Sequence, residues 1–362
     1  MTPPHIWLHG ASHGDHGALR PLGERAAGAG YALTLSATTP AGRARAEALW
    51  PHAHHRPAPL LWGAGRALHA HLLGAPRALL LELLELWPHW SAAWGREGVP
   101  QAVVNGRVSP STLRARPLLR ASFERLDLFL AQTPLDAERA LHMGARPAAV
   151  RVCGNTKHEG ASAPPPPPPP ALLSYARALG GLEVVLGSLR PEDERALISC
   201  AHLLRGRRAL IAPRYPARAA GLAAALRRRG LPCLLRTELE GHAGEPPPLL
   251  LLNTLGELAG SYALAPAAVV GGGWGARPQS LIEAARADAV VAFGPRAAAR
   301  LSLEAAAAGG GGAAPCPTLA AALELALSAA PLSPEERLAR RARLRALEGA
   351  AARVWGEVEG LL

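Results

Sequence analysis

Seven consecutive prolines, Pro164 to Pro170, stand near the middle of the 362-residue chain. Such a run has no N–H donors and a fixed φ, so it joins neither a helix interior nor a sheet interior and forms an extended, stiff spacer. A ligand for a proline-binding module is the other use of such a run; a linker between two folded bodies is the more economical one. The chain is long enough for two cores of ordinary size. The expected division is 1–160, a linker over 161–171, a second domain over 172–332, and terminal helices over 333–362.

Both halves alternate short apolar runs with helical segments. In the first half the runs are Ile6 to Leu8, Ala32 to Ser36, Ala78 to Leu83, Ala102 to Asn105, Leu128 to Ala131 and Ala149 to Cys153. In the second they are Leu182 to Leu186, Ala209 to Ala212, Cys233 to Leu235, Leu249 to Leu252, Ala268 to Val270 and Ala289 to Phe293. This alternation predicts α/β domains with parallel sheets covered by helices, two Rossmann-like bodies facing each other across a hinge. Leu135 to Met143 reads as one crossover helix, with Gly144 at its C-cap.

Composition narrows the class. The net charge of +11 comes mostly from arginine and suggests anionic partners. The arginines are dispersed rather than striped among stacking aromatics, which argues against a nucleic-acid module. Denser spots lie at Arg205 to Arg208, Arg227 to Arg229 and Arg337 to Arg345, the last expected as the solvated face of a terminal helix. Cys153, Cys200, Cys233 and Cys316 are far apart and form no CxxC, so neither a zinc ribbon nor a disulfide framework is indicated. The longest apolar stretch, Ala78 to Trp94, is interrupted by Glu82 and Glu85, and a soluble or peripheral protein is expected.

The chemistry-bearing clusters fall where strands end. Open α/β sheets bind ligands beyond the carboxyl ends of their strands, near helix N-termini. After the first strand comes His9-Gly10-Ala11-Ser12-His13-Gly14-Asp15, in which Asp15 is either a working carboxylate or the cap of the next helix. Further clusters are Glu82 to His89, Asn105 to Ser109, Cys153-Gly154-Asn155-Thr156-Lys157, Ala212 to Pro216 and Asn253 to Leu258. The last, Gly271-Gly272-Gly273-Trp274, leads to Ser280 to Ala284. Lys157 and Arg214 suit a phosphate or carboxylate, and glycines after an apolar strand let backbone N–H groups approach a phosphate. Neither GxGxxG with a downstream acid nor GxxxxGK[ST] is present. His9, His13, Asp15 and His16 lack a metal-binding spacing such as HExxH, and His52, His54 and His55 read as an exposed loop; no metal is expected.

Taken together and in this order, the clusters resemble the 3-deoxy-D-manno-octulosonic acid (Kdo) transferases, inverting family-30 glycosyltransferases of lipopolysaccharide synthesis. Against that family's HAASxGE, TTTPTG, ExELWPN and NARLS stand His9 to Asp15, Ala37 to Gly42, Glu85 to His89 and Asn105 to Ser109. Its AQ-x-x-x-DA-x-R-x-x-x-LGA, GNxK, APRHPER and DTMGEL are matched by Ala131 to Ala145, Gly154 to Lys157, Ala212 to Arg218 and Asn253 to Leu258. The departures are specific. Asp15 replaces a Glu, and the first Glu of ExELWPN falls on Leu83 unless Glu82 replaces it. VGGS becomes Val270 to Gly273, and GGHNPLEPA becomes Ala276 to Ala284, without its His-Asn pair.

The resemblance implies a GT-B fold, with the acceptor on the N-terminal domain, the nucleotide on the C-terminal one and a last helix that often crosses back. It implies CMP-Kdo as donor, a lipid A precursor as acceptor and no required metal or cofactor. It makes Asp15 the general base. It also makes Ser12, Asn155, Lys157, Arg214, Thr254, Leu255, Gly256, Glu257, Gly272, Gly273 and Glu283 the substrate-binding set. The expected location is the cytoplasmic face of the inner membrane, peripheral, on an anionic surface and without a transmembrane anchor in this chain; no nucleic acid is expected as partner. The alternatives are a GT-B transferase or epimerase using another nucleotide sugar, and an inactive binding or scaffold paralogue.

Overall fold

The computed structural model describes residues 4–57, 75–275, 277–309 and 314–362. The chain forms two units, Met1–Glu159 with Leu347–Leu362, and Gly160–Ala346.

In the first unit, seven strands form one parallel sheet in the order β3-β2-β1-β4-β5-β6-β7. They are β1 His5–Gly10, β2 Ala32–Ala37, β3 His54–Pro57, β4 Ala78–Glu82, β5 Gln101–Gly106, β6 Leu128–Ala131 and β7 Val150–Val152. The apolar runs are strands because helices cover both faces and the side chains alternate between two cores. Ile6, Leu8, Leu35 and Leu80 pack on one side, while Trp7, Leu79, Leu81 and Phe129 pack on the other.

One segment differs from expectation. His54–Pro57 is not a loop but the edge strand, paired in parallel with β2. Its one-sided pairing leaves room for the polar residues that disguise it. The terminal region divides: Pro334–Ala346 belongs to the second unit, whereas Ala350–Glu359 packs on the first. Ala351, Val354, Trp355 and Val358 form one apolar stripe of that last helix against the core of β1 and β4. Each such large side chain buried is worth about 1.5–3 kcal/mol. Glu159 binds the helix start, accepting from Ala351 N at 2.7 Å, and Arg353 Nε donates to Cys153 O at 3.0 Å. The helix thereby braces the segment that follows β7.

In the second unit the sheet is again parallel and seven-stranded, in the order β10-β11-β9-β8-β12-β13-β14. The strands are β8 Val184–Leu189, β9 Ala209–Pro213, β10 Cys233–Leu235, β11 Leu249–Leu251, β12 Ala267–Val270, β13 Val290–Phe293 and β14 Ala314–Pro315. The proline run lies against this unit. Arg286 Nε and Nη2 donate to the carbonyls of Ala163 and Pro164 at 3.0 and 2.7 Å, and Pro170 opens the helix Pro170–Ala178. The run has no N–H donors of its own, and Arg286 supplies one to its first carbonyl, that of Pro164.

The expected solvated face at Arg337 to Arg345 is corrected at its centre. Arg340 is completely buried and donates to Ala289 O and, at 3.0 Å, to Ala308 O. A helix dense in arginine reads as polar, but here one guanidinium serves carbonyls at the ends of other elements.

Candidate active site

Each sheet has one topological switch point, where the chain changes direction across it: between β1 and β4 in the first, and between β8 and β12 in the second. The crevice outside the carboxyl ends of such strands is where open α/β folds bind ligands.

At the first switch point β1 ends in Gly10 and the helix His13–Gly28 begins with Ser12 as its N-cap. The Ser12 N–H donates to Asp15 Oδ2 at 2.7 Å. A Cβ on Gly10 would stand 2.9 Å from that of Asp15, so the glycine makes room for it. The turn is held from the side by Thr39, whose N–H and hydroxyl both donate to Ala11 O at 3.0 and 2.7 Å. The threonine-rich cluster is therefore a brace for the Asp15 loop. Burial pushes the Asp15 carboxyl above its ordinary value, the hydrogen bonds from Ser12 and Ala11 oppose this, and the Glu85 charge adds to it. Capping uses one oxygen of Asp15, so the capping and working readings of this residue are compatible.

Beyond β4 stand two more carboxylates. Glu85 Oε2 lies 3.5 Å from Nε2 of the buried His9 and accepts from Trp87 Nε1 at 3.2 Å. Burial pushes the Glu85 carboxyl up, but its bonds to His9, Trp87 and Thr38 outweigh this and hold it below the usual range. His9 is fixed behind by Ser36, whose hydroxyl lies 2.8 Å from Nδ1 and accepts from Trp7 Nε1 at 2.8 Å. Glu82 is buried, and burial drives its carboxyl well above the usual range, with the Asn105 hydrogen bond opposing.

Asn105, in left-handed backbone at φ 51°, connects this edge to the segment after β7. Its Nδ2 donates to Glu82 Oε2 at 2.8 Å and to Thr156 Oγ1 at 2.7 Å, and its Oδ1 accepts from Thr156 N at 2.8 Å. Asn155 caps the short turn carrying Lys157, accepting from Lys157 N at 3.0 Å. Lys157 is exposed, and its charge reaches Glu82. The long motif after β6 holds the Asn105 loop: Gln132 donates to Asn105 O at 2.8 Å, Arg139 to Val108 O at 3.0 Å, and Asp136 accepts from Val108 N at 3.0 Å. Ser12, Asp15, Asn155 and Lys157 thus share one connected edge.

The second switch point is built differently. A Cβ on Gly271 would meet Ser188 O at 2.5 Å, and one on Gly273 would meet Gly294 N at 2.6 Å. Gly272 has a positive φ of 77°, and a Cβ there would meet Arg277 O at 2.2 Å. All three glycines are required by backbone packed on backbone. The Gly272 N–H donates to Asp193 Oδ2 at 2.6 Å, so it is committed inside the protein rather than to a ligand. Asp193 also accepts from Arg190 N at 2.8 Å and so ties the turn after β8 to the turn after β12. Burial raises its carboxyl, with those two hydrogen bonds opposing.

Arg214 follows β9, is exposed, and is anchored by its own N–H on Leu189 O at 2.7 Å. Beyond β11, Thr254 donates to Glu257, which is paired with Arg236 at 3.0 Å; Leu255 is exposed and Gly256 has a positive φ of 84°. Glu283 is exposed on the helix Ile282–Arg286. Among the described residues no hydrogen bond links Glu283 or the Thr254–Glu257 loop to Arg214 and the glycine turn. Ala276, which opens the divergent segment, lies outside the described residues. Sequence reasoning missed Asp193, Arg190 and Ser36; an acid two residues into a helix opened by Pro191 was the one local signal for Asp193. Among the described residues no group of three or more His, Cys, Asp or Glu side chains is placed to hold a metal. No helix among them is long and apolar enough to cross a membrane.

Two Rossmann-like units, each with polar residues at its switch point, define the class by fold: GT-B. The glycosyltransferase from Rickettsia africae matches over 100% of this chain and 99% of its own, with a TM-score of 0.63 and 9% identity. The UDP-GlcNAc 2-epimerase from Neisseria meningitidis matches over 98% and 100%, with a TM-score of 0.62 and 10% identity. At these identities the likeness is one of fold. Residues 1–159 match the family model of 3-deoxy-D-manno-octulosonic-acid transferase. The Kdo transferase of Bordetella pertussis is 34% identical over 310 residues, covering 80% of this chain and 71% of the relative. The chain belongs to the Kdo transferase family.

Proposed function

We propose that this enzyme transfers a Kdo residue from CMP-Kdo to a lipid A precursor, with inversion at the anomeric carbon and Asp15 as general base. The observation that carries the reading is Asp15 itself. It is the carboxylate of the turn after β1, aligned with the family's catalytic Glu, oriented by the Ser12 N–H and raised above its ordinary value by burial. A base is most effective when its pKa approaches the working pH. In the reaction the acceptor hydroxyl attacks the anomeric carbon and Asp15 takes its proton. The bond from that carbon to the phosphate oxygen breaks, and CMP leaves with the electron pair.

The remaining roles follow chemistry. Lys157 and Arg214 supply positive charge for the phosphate and the sugar carboxylate. Asn155, Thr254, Leu255, Gly256, Glu257, Gly272, Gly273 and Glu283 complete the donor site, with Gly272 acting by shaping the turn after β12. Ser12 positions the base. A lipid acceptor and a net charge of +11 suit peripheral work at an anionic bilayer, on the cytoplasmic face of the inner membrane.

The test is CMP release from CMP-Kdo by the purified protein, with and without a lipid A precursor, for the wild type and Asp15→Asn. Acceptor-dependent release that falls by about 10²- to 10⁴-fold in the variant is expected for loss of a general base. Release that is undiminished in Asp15→Asn removes Asp15 from that role. A wild type inert toward CMP-Kdo but active on another nucleotide sugar overturns the donor assignment.

A further inference from the structure

At the carboxyl ends of the neighbouring strands β8 and β9, two arginines share one aromatic ring. Arg190 follows β8 and Arg214 follows β9; their guanidinium carbons lie 5.7 and 6.0 Å from the centroid of the Tyr215 ring. Arg190 Nη2 also donates to the Tyr215 hydroxyl at 3.3 Å. The backbone of both is fixed, Arg190 N on Asp193 Oδ2 at 2.8 Å and Arg214 N on Leu189 O at 2.7 Å.

The carboxylates nearby are mostly spoken for. Glu194 forms a two-pronged pair with Arg218, at 2.8 and 2.7 Å from Nε and Nη2. Asp193 Oδ2 accepts two backbone N–H groups. Glu192 lies 3.5 Å from Arg190 Nε and is partly exposed. Among the described residues the Arg214 guanidinium has no ion pair. Two like charges therefore lie at one ring with a single loose counter-charge. The ring's negative face softens their repulsion; an anion between the guanidiniums would remove it.

We propose that Arg190 and Arg214, gathered at Tyr215, form a two-pronged clamp for the phosphate of a nucleoside monophosphate unit, with Arg190 supplying half of the grip. The planar fork of each guanidinium matches phosphate oxygens two at a time. The proposal rests on reading the second unit as the donor-binding one. Tyr215 stands where the APRHPER pattern has His, and its hydroxyl is what Arg190 bonds; a histidine there has no such group.

Titration calorimetry on the full chain tests this with CMP, cytidine, UMP and inorganic phosphate as probes. The variants are Arg190→Gln, Arg190→Lys, Arg214→Gln and Tyr215→Leu, each checked for an unchanged melting temperature. The wild type should prefer CMP to cytidine, and Arg190→Gln should weaken CMP by about 10- to 100-fold while leaving cytidine unchanged. Arg190→Lys should recover part of the loss, and Tyr215→Leu should weaken CMP without touching cytidine.

If Arg190→Gln binds CMP as tightly as the wild type, the clamp is wrong and the donor reading survives. Equal loss of CMP and cytidine, with a lowered melting temperature, makes Arg190 a structural residue and overturns the clamp. A wild type that ignores CMP but binds UMP or inorganic phosphate through Arg190 keeps the clamp and overturns CMP-Kdo as donor. Binding of none of the four probes overturns the clamp.

Discussion

At the first switch point, between β1 and β4, the chain gathers carboxylates: Asp15, Glu82 and Glu85, backed by buried His9 and His16. At the second, between β8 and β12, it gathers Arg190, Arg214 and a turn of three glycines around one buried acid, Asp193. The topology is the same and the charge is opposite. A fold supplies the place, and the residues at the strand ends decide what is done there. Groups that move protons need burial and neighbouring charge to set their affinity. Groups that hold an anion need fixed donors, and here the arginines that supply them have their backbone pinned, Arg190 on Asp193 and Arg214 on Leu189. The two edges should therefore fail in different ways.

The second edge should break through its geometry. Asp193→Ala leaves Arg190 N and Gly272 N without their acceptor, and each buried, unpaired N–H costs about 1–3 kcal/mol. A loss of about 2–6 kcal/mol in the urea unfolding free energy is expected. Asp193→Asn keeps an acceptor oxygen and should lose far less. Equal losses in the two variants would mean that the charge of Asp193, rather than its two hydrogen bonds, joins these turns.

The same contrast explains what was legible in the sequence. The strands were, because a parallel sheet covered on both faces writes itself as apolar runs, and the motif clusters lay at their ends. His54–Pro57 was hidden because an edge strand is paired on one side and tolerates histidine and arginine. Asp193 was hidden because Glu192, Asp193 and Glu194 look alike in the first turn of a helix; only the approach of Gly272 distinguishes the middle one. Arg340 was hidden because helical patterning treats arginine as solvent-facing, while the carbonyls that receive it come from distant elements. At the first edge the acids were visible individually, but the Asn105 and Thr156 bridge between Glu82 and the Lys157 turn depends on contacts across 51 positions of sequence.

The first edge should break through its protons. His16 is fully buried. Burial, with the nearby His9 adding and hydrogen bonds to the Gly10 and Ser36 backbone opposing, lowers its pKa from 6.5 to about 4. The folded state binds this proton less tightly than the unfolded state does. The stability it contributes is therefore complete above about pH 6.5 and is lost as pH falls to about 4. That difference is worth about 3 kcal/mol. Urea unfolding at pH 7 and pH 4 should show the wild type losing about that much more than His16→Met. A similar loss in both would show that His16 is solvated and titrates normally.

The finest test separates Asp15 from the carboxylate beside it. Glu85 is held ionised by His9, Trp87 and Thr38, and its charge is one of the causes that raise Asp15. In Glu85→Gln that repulsion is gone, so Asp15 should ionise more readily, and the acid limb of kcat/KM should move to lower pH by less than about one pH unit. The direction is the informative part. A base weakened by loss of a neighbour stays active in more acid solution but pulls the acceptor proton less strongly, so the plateau rate should also fall. If the limb stays in place while the plateau falls, Glu85 acts on the acceptor directly and the acid limb belongs to a group other than Asp15. If the limb moves upward, Glu85 was favouring the ionised form of the titrating group through its contacts rather than its charge, with the buried Glu82 as the group to vary next.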